Sequence, residues 1–261
     1  MGGGAGLVTV ATPEGVHPVV AADLPSALTL PLADEDGVLS ERGAAAAREA
    51  AESMDAVAVG PGLTVEAAPF LRAFLPSLSK PLVVDADALN VLAAEPGLLA
   101  GAAGPPILTP HPGEAARLLG RAVPGDPESR EQACRDLAGR FGAVAVLKGA
   151  GTVVCDADRV YTNETGNPGM ATGGTGDVLT GLLAALLAGG ADPWTAAVQG
   201  VHLHGRAGDL AALAVGERGM VATDLAANLS RALSELVERR PRTRTGGGRG
   251  AASRRRRGSS G

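Results

Sequence analysis

Aromatic side chains are nearly absent: one Trp, one Tyr and three Phe among 261 residues, or 2%. A core must therefore be assembled from small aliphatic side chains, although the 45% hydrophobic content is ample for one. Cysteine is also scarce. Cys134 and Cys155 are far apart and lack metal-type clustering, which argues against a disulfide scaffold or a zinc site and fits a reducing cytoplasm. Both are expected to be buried structural residues. Long apolar runs are missing too, since Val178–Leu187 ends at Gly189-Gly190, short of a membrane span. The first residues carry no basic segment of the signal-peptide kind, so the expected location is cytoplasmic. The length suits one sizeable α/β domain or two small ones.

Lysine is almost wholly replaced by arginine, and the formal charge of −5 hides an asymmetry. Nine arginines and no acid lie between Arg239 and Gly261. They leave 14 of the 23 basic residues against all 28 acidic ones, so the body carries −14. The expected organisation is a domain over 1–238 and a disordered Arg/Gly/Ser-rich tail over 239–261. An acidic body is a poor nucleic-acid platform. The tail's possible contacts are nucleic acid or a neighbouring subunit, with a roleless solvated extension the simpler reading.

Short apolar runs alternate with helical patterns, which points to an α/β fold: a mostly parallel central sheet with helices on both faces. Strands are expected at Leu7–Ala11, Ala56–Val59, Pro81–Val84, Ile107-Leu108 and Val144–Leu147. A hairpin of Val153–Cys155 and Val160-Tyr161 should turn at Asp156-Ala-Asp158. Helices are expected at Gly43–Ser53, Val65–Leu75, Ala115–Leu119, Glu128–Phe141, Asp177–Leu187, Pro193–Val215 (capped by Asp192) and Asp224–Glu238 (capped by Thr223).

The richest string is Asn167-Pro-Gly-Met-Ala-Thr-Gly-Gly-Thr-Gly-Asp177, which runs straight into an apolar helix. Glycines let backbone N–H groups approach a ligand closely, and a helix N terminus adds free donors and a positive dipole end. Gly173, Gly174, Thr175 and Gly176 are thus a candidate anion hole. A carboxylate beside such a hole would repel phosphate, unless Asp177 takes a proton from a hydroxyl that attacks the phosphorus. A first-turn acid that merely complements the helix dipole is the bland alternative. No Lys follows the glycines and the spacing is not Gly-x-Gly-x-x-Gly, so neither a Walker loop nor a dinucleotide fingerprint is present.

Other polar strings follow the remaining strands, where ligands lie in such folds. Gly60-Pro-Gly62 bares backbone, or is a plain turn. Lys148-Gly149-Ala150-Gly151-Thr152 offers a cation, amides and a hydroxyl suited to a nucleotide, or is an ordinary β-turn. Asp85 and Asp87 alternate at a strand end, so one faces the site and the other, with Asn90, caps the next helix. His111 lies between two prolines and could bind a polar substrate or pack its loop. Glu114 could cap the following helix or order magnesium-bound water. His202 and His204 read as packing residues, and His17 is uninformative.

Together, AGLVTVATP, VGPGL, VVDADALN, LTPHPGEAARLLG, VLKGAGT, TGNPGMATGGTGDVLTG and VHLHGRAGDLAA make the chain resemble the ADP-dependent NAD(P)H-hydrate dehydratases, a branch of the ribokinase-like superfamily. The resemblance spans about Gly4 to Glu238. It implies repair of nicotinamide cofactor hydrated at ring carbon six (NADHX or NADPHX): ADP phosphorylates the hydroxyl, and phosphate elimination returns NAD(P)H with AMP. Carried over to this chain, it implies that Asp177 is catalytic and that Gly62, His111 and Asp177 contact the hydrated dinucleotide. Lys148–Thr152 and Gly176 would hold AMP, and Glu114 would order Mg²⁺ through water. It also implies a homotetramer. Family members begin with a strand and a Gly-rich helix upstream of AGLVTVA. A first βα unit, with a substrate contact, is therefore expected to be missing here, as from an internal start codon or a fragment of a longer epimerase-bearing protein. Two rivals stay open: a kinase of the same fold acting on a vitamin precursor, and an inactive nucleotide-binding protein.

Overall fold

The structure, a computed structural model, describes residues 2–238; the expected Arg-rich tail lies outside the described residues. In chain order the elements are β1 (Thr9–Pro13), α1 (His17–Asp23), β2 (Leu28–Leu32), β3 (Asp34–Glu35), β4 (Val38–Leu39) and α2 (Ala44–Glu52). There follow β5 (Val57–Val59), α3 (Ala68–Phe74), β6 (Leu82–Val84), α4 (Ala86–Ala94), β7 (Ile107–Leu108), α5 (Pro112–Leu119) and α6 (Pro127–Phe141). The last are β8 (Val144–Leu147), β9 (Val153–Cys155), β10 (Val160–Thr162), α7 (Thr175–Ala188), α8 (Pro193–Val215) and α9 (Ala222–Glu238).

Six strands form the main sheet in the order β10-β9-β8-β7-β6-β5. β5 to β8 are parallel, and β9 and β10 fold back antiparallel at one edge. β1 and β2 make a separate parallel pair, and β3–β4 is a short hairpin. Among the described residues β1 and β5 are each hydrogen-bonded along one side only.

Alternation along the strands decides which helix layer each residue meets. Val84, Leu108, Ala145, Leu147, Val153 and Cys155 point into a core shared with α2 to α6. Their neighbours Val83, Ile107, Val144, Val146 and Val154 point the other way, onto α7 and α8. A third cluster ties α7, α8 and α9 together through Leu182, Leu203, Leu210, Leu225 and Leu229. Helices thus cover both faces, and the near-continuous apolar strands are what a doubly covered parallel sheet requires. Cys134 and Cys155 are free and fully buried, as expected of structural thiols. No helix among the described residues is long and apolar enough to cross a membrane.

Several boundaries differ from the sequence expectations. Val65–Leu75 is a 3-10 turn at Val65–Ala67 followed by α3, whose second residue Pro69 cannot donate a hydrogen bond. α7 begins at Thr175 rather than Asp177, because Gly174 takes a left-handed conformation (φ 85°) just before it. Thr223 does not cap α9. The helix starts at Ala222, and Asp224 accepts from the Val221 N–H at 2.9 Å. α1, β2 and the β3–β4 hairpin had no clear signal: α1 buries no residue and β2 contains Pro31.

Candidate active site

The carboxyl ends of β5, β6, β7 and β8 and the N terminus of α7 meet at one end of the main sheet. No side chain caps α7, so the N–H groups of its first turn are left for a ligand. Gly173 and Gly174 are exposed there, and Asp177 in the first turn is exposed as well. The Thr175 hydroxyl is tied inward, its one proton shared between the carbonyls of Met170 and Thr172, each 2.9 Å away. A Cβ at Gly176 would stand 3.4 Å from the Lys148 Nζ, an ordinary contact distance. Lys148 therefore lies directly against the first turn of α7.

Behind α8, the absence of side chains at Gly205 and Gly208 makes room for Thr165 and Met170. Asp209 accepts from the Gly166 N–H and the Asn167 amide at 3.2 and 3.1 Å. These contacts explain the VHLHGRAGDLAA string as the support on which the Asn167–Gly174 loop rests. His204 Nε2 donates to the Thr175 carbonyl at 2.8 Å. Although the residue keeps some surface, its ring is deep enough for burial to pull its pKa down to about 4. It is a neutral strut beneath the cradle, which agrees with a packing role.

Asp85 is the hub of the site. Its side chain is 1% exposed; Oδ1 accepts from Lys148 Nζ at 2.7 Å and Oδ2 from the Thr180 hydroxyl at 2.6 Å. Of the two alternating acids it is thus Asp85 that faces inward. Asp87 instead accepts from Asn90 at 2.8 Å, and Asn90 from Arg117. Although the residue keeps much of its surface, partial desolvation of the carboxyl, and next the neighbouring Asp85 charge, push Asp177 above its ordinary value, while Lys148 opposes them. A carboxylate raised in this way is a better proton acceptor near neutrality than an ordinary aspartate.

The β7 loop supplies His111 and Glu114, which form a capping box for α5. His111 Nδ1 accepts from the Gly113 N–H at 2.9 Å, and Glu114 Oε2 from the His111 N–H at 2.8 Å. Glu114 is buried and lies 4.0 Å from Lys148 Nζ, which places it at the rim of the Asp85–Lys148 pair. The His111 side chain is 52% exposed, and its other nitrogen, Nε2, lies 3.5 Å from Glu114 Oε1. Gly60 (φ 127°) and Gly62 (φ 73°) carry the β5 loop around the same corner. Gly62 has open space where a side chain would be.

In the Lys148–Thr152 loop, Gly149 and Gly151 both have positive φ, and the Thr152 hydroxyl closes the turn onto the Gly149 carbonyl at 2.9 Å. Ala150 stands at its tip. Arg130 holds this loop from behind, donating to the carbonyls of Leu147, Lys148 and Gly151 at 3.2, 3.4 and 3.4 Å. It is a buried guanidinium that no carboxylate pairs with among the described residues, and desolvation lowers its pKa. Sequence reasoning missed Arg130 and Thr180. A signal for Arg130 existed: it shares the apolar face of α6 with Ala133, Cys134 and Leu137, at helical spacing.

Among the described residues no three His, Cys, Asp or Glu side chains gather as a metal cage. The donors present fit magnesium only as an ion carried on nucleotide phosphates and met through water by Glu114, whose one oxygen is already engaged with the His111 N–H.

Known proteins resemble this arrangement along most of the chain. A bifunctional NAD(P)H-hydrate repair enzyme of Moorella thermoacetica is 45% identical over 239 residues, covering 90% of this chain and 45% of that protein. The ADP-dependent (S)-NAD(P)H-hydrate dehydratase of Neisseria meningitidis serogroup B is 47% identical over 151 residues, 56% of this chain and 51% of its own length. The chain thus spans about half the length, or less, of these relatives. The crystal structure of an ADP/ATP-dependent NAD(P)H-hydrate dehydratase from Bacillus subtilis, co-crystallised with ATP/Mg²⁺ and soaked with CoA, aligns with TM-score 0.72 and 30% identity. That alignment covers 90% of this chain and 83% of the other. A hydroxyethylthiazole kinase from Pyrococcus horikoshii shares the fold alone, at TM-score 0.63 and 20% identity. The family model for NAD(P)H-hydrate dehydratase matches residues 1–231, and the chain belongs to that family, within the ribokinase-like fold.

Proposed function

We propose that the chain dehydrates (S)-NAD(P)H hydrate, NADHX or NADPHX, at the expense of ADP, and so repairs damaged nicotinamide cofactor. The observation that carries this reading is the uncapped N terminus of α7, with Asp177 in its first turn and the Asp85–Lys148 pair against it. In this reading the β-phosphoryl group of ADP lies on the amides of Gly173, Gly174, Thr175 and Gly176. Lys148, Gly149, Ala150, Gly151 and Thr152 hold the AMP part, together with Gly176. Gly62, His111 and Asp177 contact the hydrated dinucleotide.

The steps follow from that placement. Asp177 takes the proton of the ring hydroxyl as its oxygen bonds to the phosphorus and the bridging P–O bond of ADP breaks, releasing AMP. The amides of α7 and Lys148 stabilise the charge spread over the transferring group. The new phosphate ester then loses its C–O bond, with a proton leaving the neighbouring ring carbon, because phosphate departs far more readily than hydroxide. Magnesium, when bound, neutralises phosphate charge.

The test is incubation with hydrated NADH and ADP. Equimolar AMP, phosphate and NADH, seen as recovered reduced-nicotinamide absorbance, supports the reading; no AMP here, with ATP-dependent ester formation on a vitamin precursor supplied in a parallel incubation, points to the kinase alternative. A homotetramer, which light scattering can check, is part of the same proposal.

A further inference from the structure

Asp85 occupies the N-cap position of α4, with extended φ −138° and ψ 170°, yet its carboxylate makes no cap hydrogen bond to that helix. An aspartate at this position ordinarily accepts from the helix's free N–H groups and stabilises it. Here the side chain turns away, to Lys148 and Thr180. The next residue, Ala86, is held at φ 48°, a left-handed conformation that a non-glycine residue rarely takes. On the other side the backbone of Gly60 is pressed so close that a Cβ there would stand 1.7 Å from the Asp85 carbonyl oxygen. A forgone cap, a strained alanine and an obligatory glycine all fix the backbone from which the Asp85 side chain projects. Strain of this kind persists where the surroundings force a particular geometry.

That geometry puts Asp85 Oδ2 4.0 Å, and Lys148 Nζ 3.4 Å, from the point where a Cβ on Gly176 would lie. The ion pair therefore sits under the first turn of α7, below the amides of the phosphoryl site and beside Asp177. We propose that Asp85 is a positioning residue for the reaction: it holds the Lys148 ammonium beneath the transferring group and sets the charge that Asp177 feels. The proposal rests on the reading of the α7 N terminus as the phosphoryl site and of Asp177 as the base.

The charged groups around Asp177 can be assigned element by element. Asp85 follows β6, Lys148 follows β8, and Glu114 on α5 reaches Lys148 at 4.0 Å. His204 on α8 is neutral near neutrality, and Asp224 on α9 is engaged with the Val221 N–H. β5 carries no titratable group. The two opposing charges nearest in effect are thus Asp85, which makes Asp177 harder to ionise, and Lys148, which makes it easier.

The test uses the full chain with hydrated NADH and ADP, following kcat, both KM values and the pH dependence of kcat/KM for Asp85→Asn, Lys148→Met and the double variant. Asp85→Asn keeps the volume and a partner for Thr180 but frees Lys148. The expected result is a fall in kcat of about tenfold to a hundredfold with little change in KM for hydrated NADH. Its acid limb should move to lower pH by on the order of one unit, while Lys148→Met moves the limb upward. Because Asp85 acts through Lys148, the double variant should lose no more kcat/KM than Lys148→Met alone. A merely structural aspartate would lower stability and leave the limb in place. Unmoved limbs in folded variants, shifts of the same sign, or multiplying losses overturn the proposal. Should Asp85→Asn not fold alone, the double variant, which leaves no unpaired buried charge, is compared with Lys148→Met: a limb at lower pH in the double variant supports the proposal, and an unmoved limb overturns it. A wild type that forms no AMP instead defeats the functional reading itself.

Discussion

Replacing Asp177 by asparagine removes one proton acceptor and one negative charge with almost no change in volume. Loss of a positioned general base costs about 10²–10⁴-fold in rate, equivalent to about 3–5 kcal/mol of transition-state stabilisation. Stability should barely respond. The side chain is exposed at the start of α7, and its favourable interaction with the helix dipole amounts to about 0.3–1 kcal/mol. The α7 amides, Lys148 and the Lys148–Thr152 loop are untouched, so ADP affinity should persist or improve, since the removed charge repels phosphate. Steady-state turnover of hydrated NADH, titration calorimetry with ADP and a thermal melt separate these effects. The wild-type enzyme should lose kcat/KM on acidification at a pH above the ordinary aspartate range, because partial desolvation and Asp85 raise the Asp177 pKa. The variant's residual activity should lack that limb. Turnover close to wild type, with the limb intact, would refute the assignment of the base.

Three further outcomes are expected. Gly60→Ala forces a Cβ to 1.7 Å from the Asp85 carbonyl at a φ of 127°, which should cost about 1–3 kcal/mol from the backbone and about 1–3 more from overpacking. A melting temperature equal to wild type would contradict the close approach. Arg130→Met keeps the apolar stem but removes the donors that hold three carbonyls of the nucleotide loop, so KM for ADP should rise by about tenfold while KM for hydrated NADH changes little. Equal rises in both would deny the loop its nucleotide role. His204 is held neutral, with its pKa lowered from 6.5 to about 4. The unfolded chain therefore binds the extra proton first as pH falls. The contribution, about 3 kcal/mol at most, is present above pH 6.5 and lost progressively down to about pH 4. Urea midpoints across that window should fall less steeply for His204→Gln.

The parallel sheet and the α7 cradle were legible because their signals are local. Valine-rich runs mark doubly covered strands, and four glycines before an apolar run mark an open helix start. His111 and Glu114 were legible only in part: the sequence left a ligand role and a capping role side by side, and the structure fills the capping box with both residues. What could not be read depends on long-range partners. Asp85 meets Lys148 and Thr180 across 63 and 95 residues of chain, and no periodicity encodes such a meeting. α1 escaped notice because it buries nothing, so no apolar stripe marks it. Thr223 failed as a cap because the helix begins one residue before it, at Ala222, and Asp224 reaches back to the Val221 N–H.

The central claim is that the ring hydroxyl attacks phosphorus and then departs with it. Hydrated NADH carrying heavy oxygen in that hydroxyl, turned over with unlabelled ADP, tests this by mass spectrometry of the products. The account predicts the label in inorganic phosphate; label released into water, with unlabelled phosphate, would contradict it.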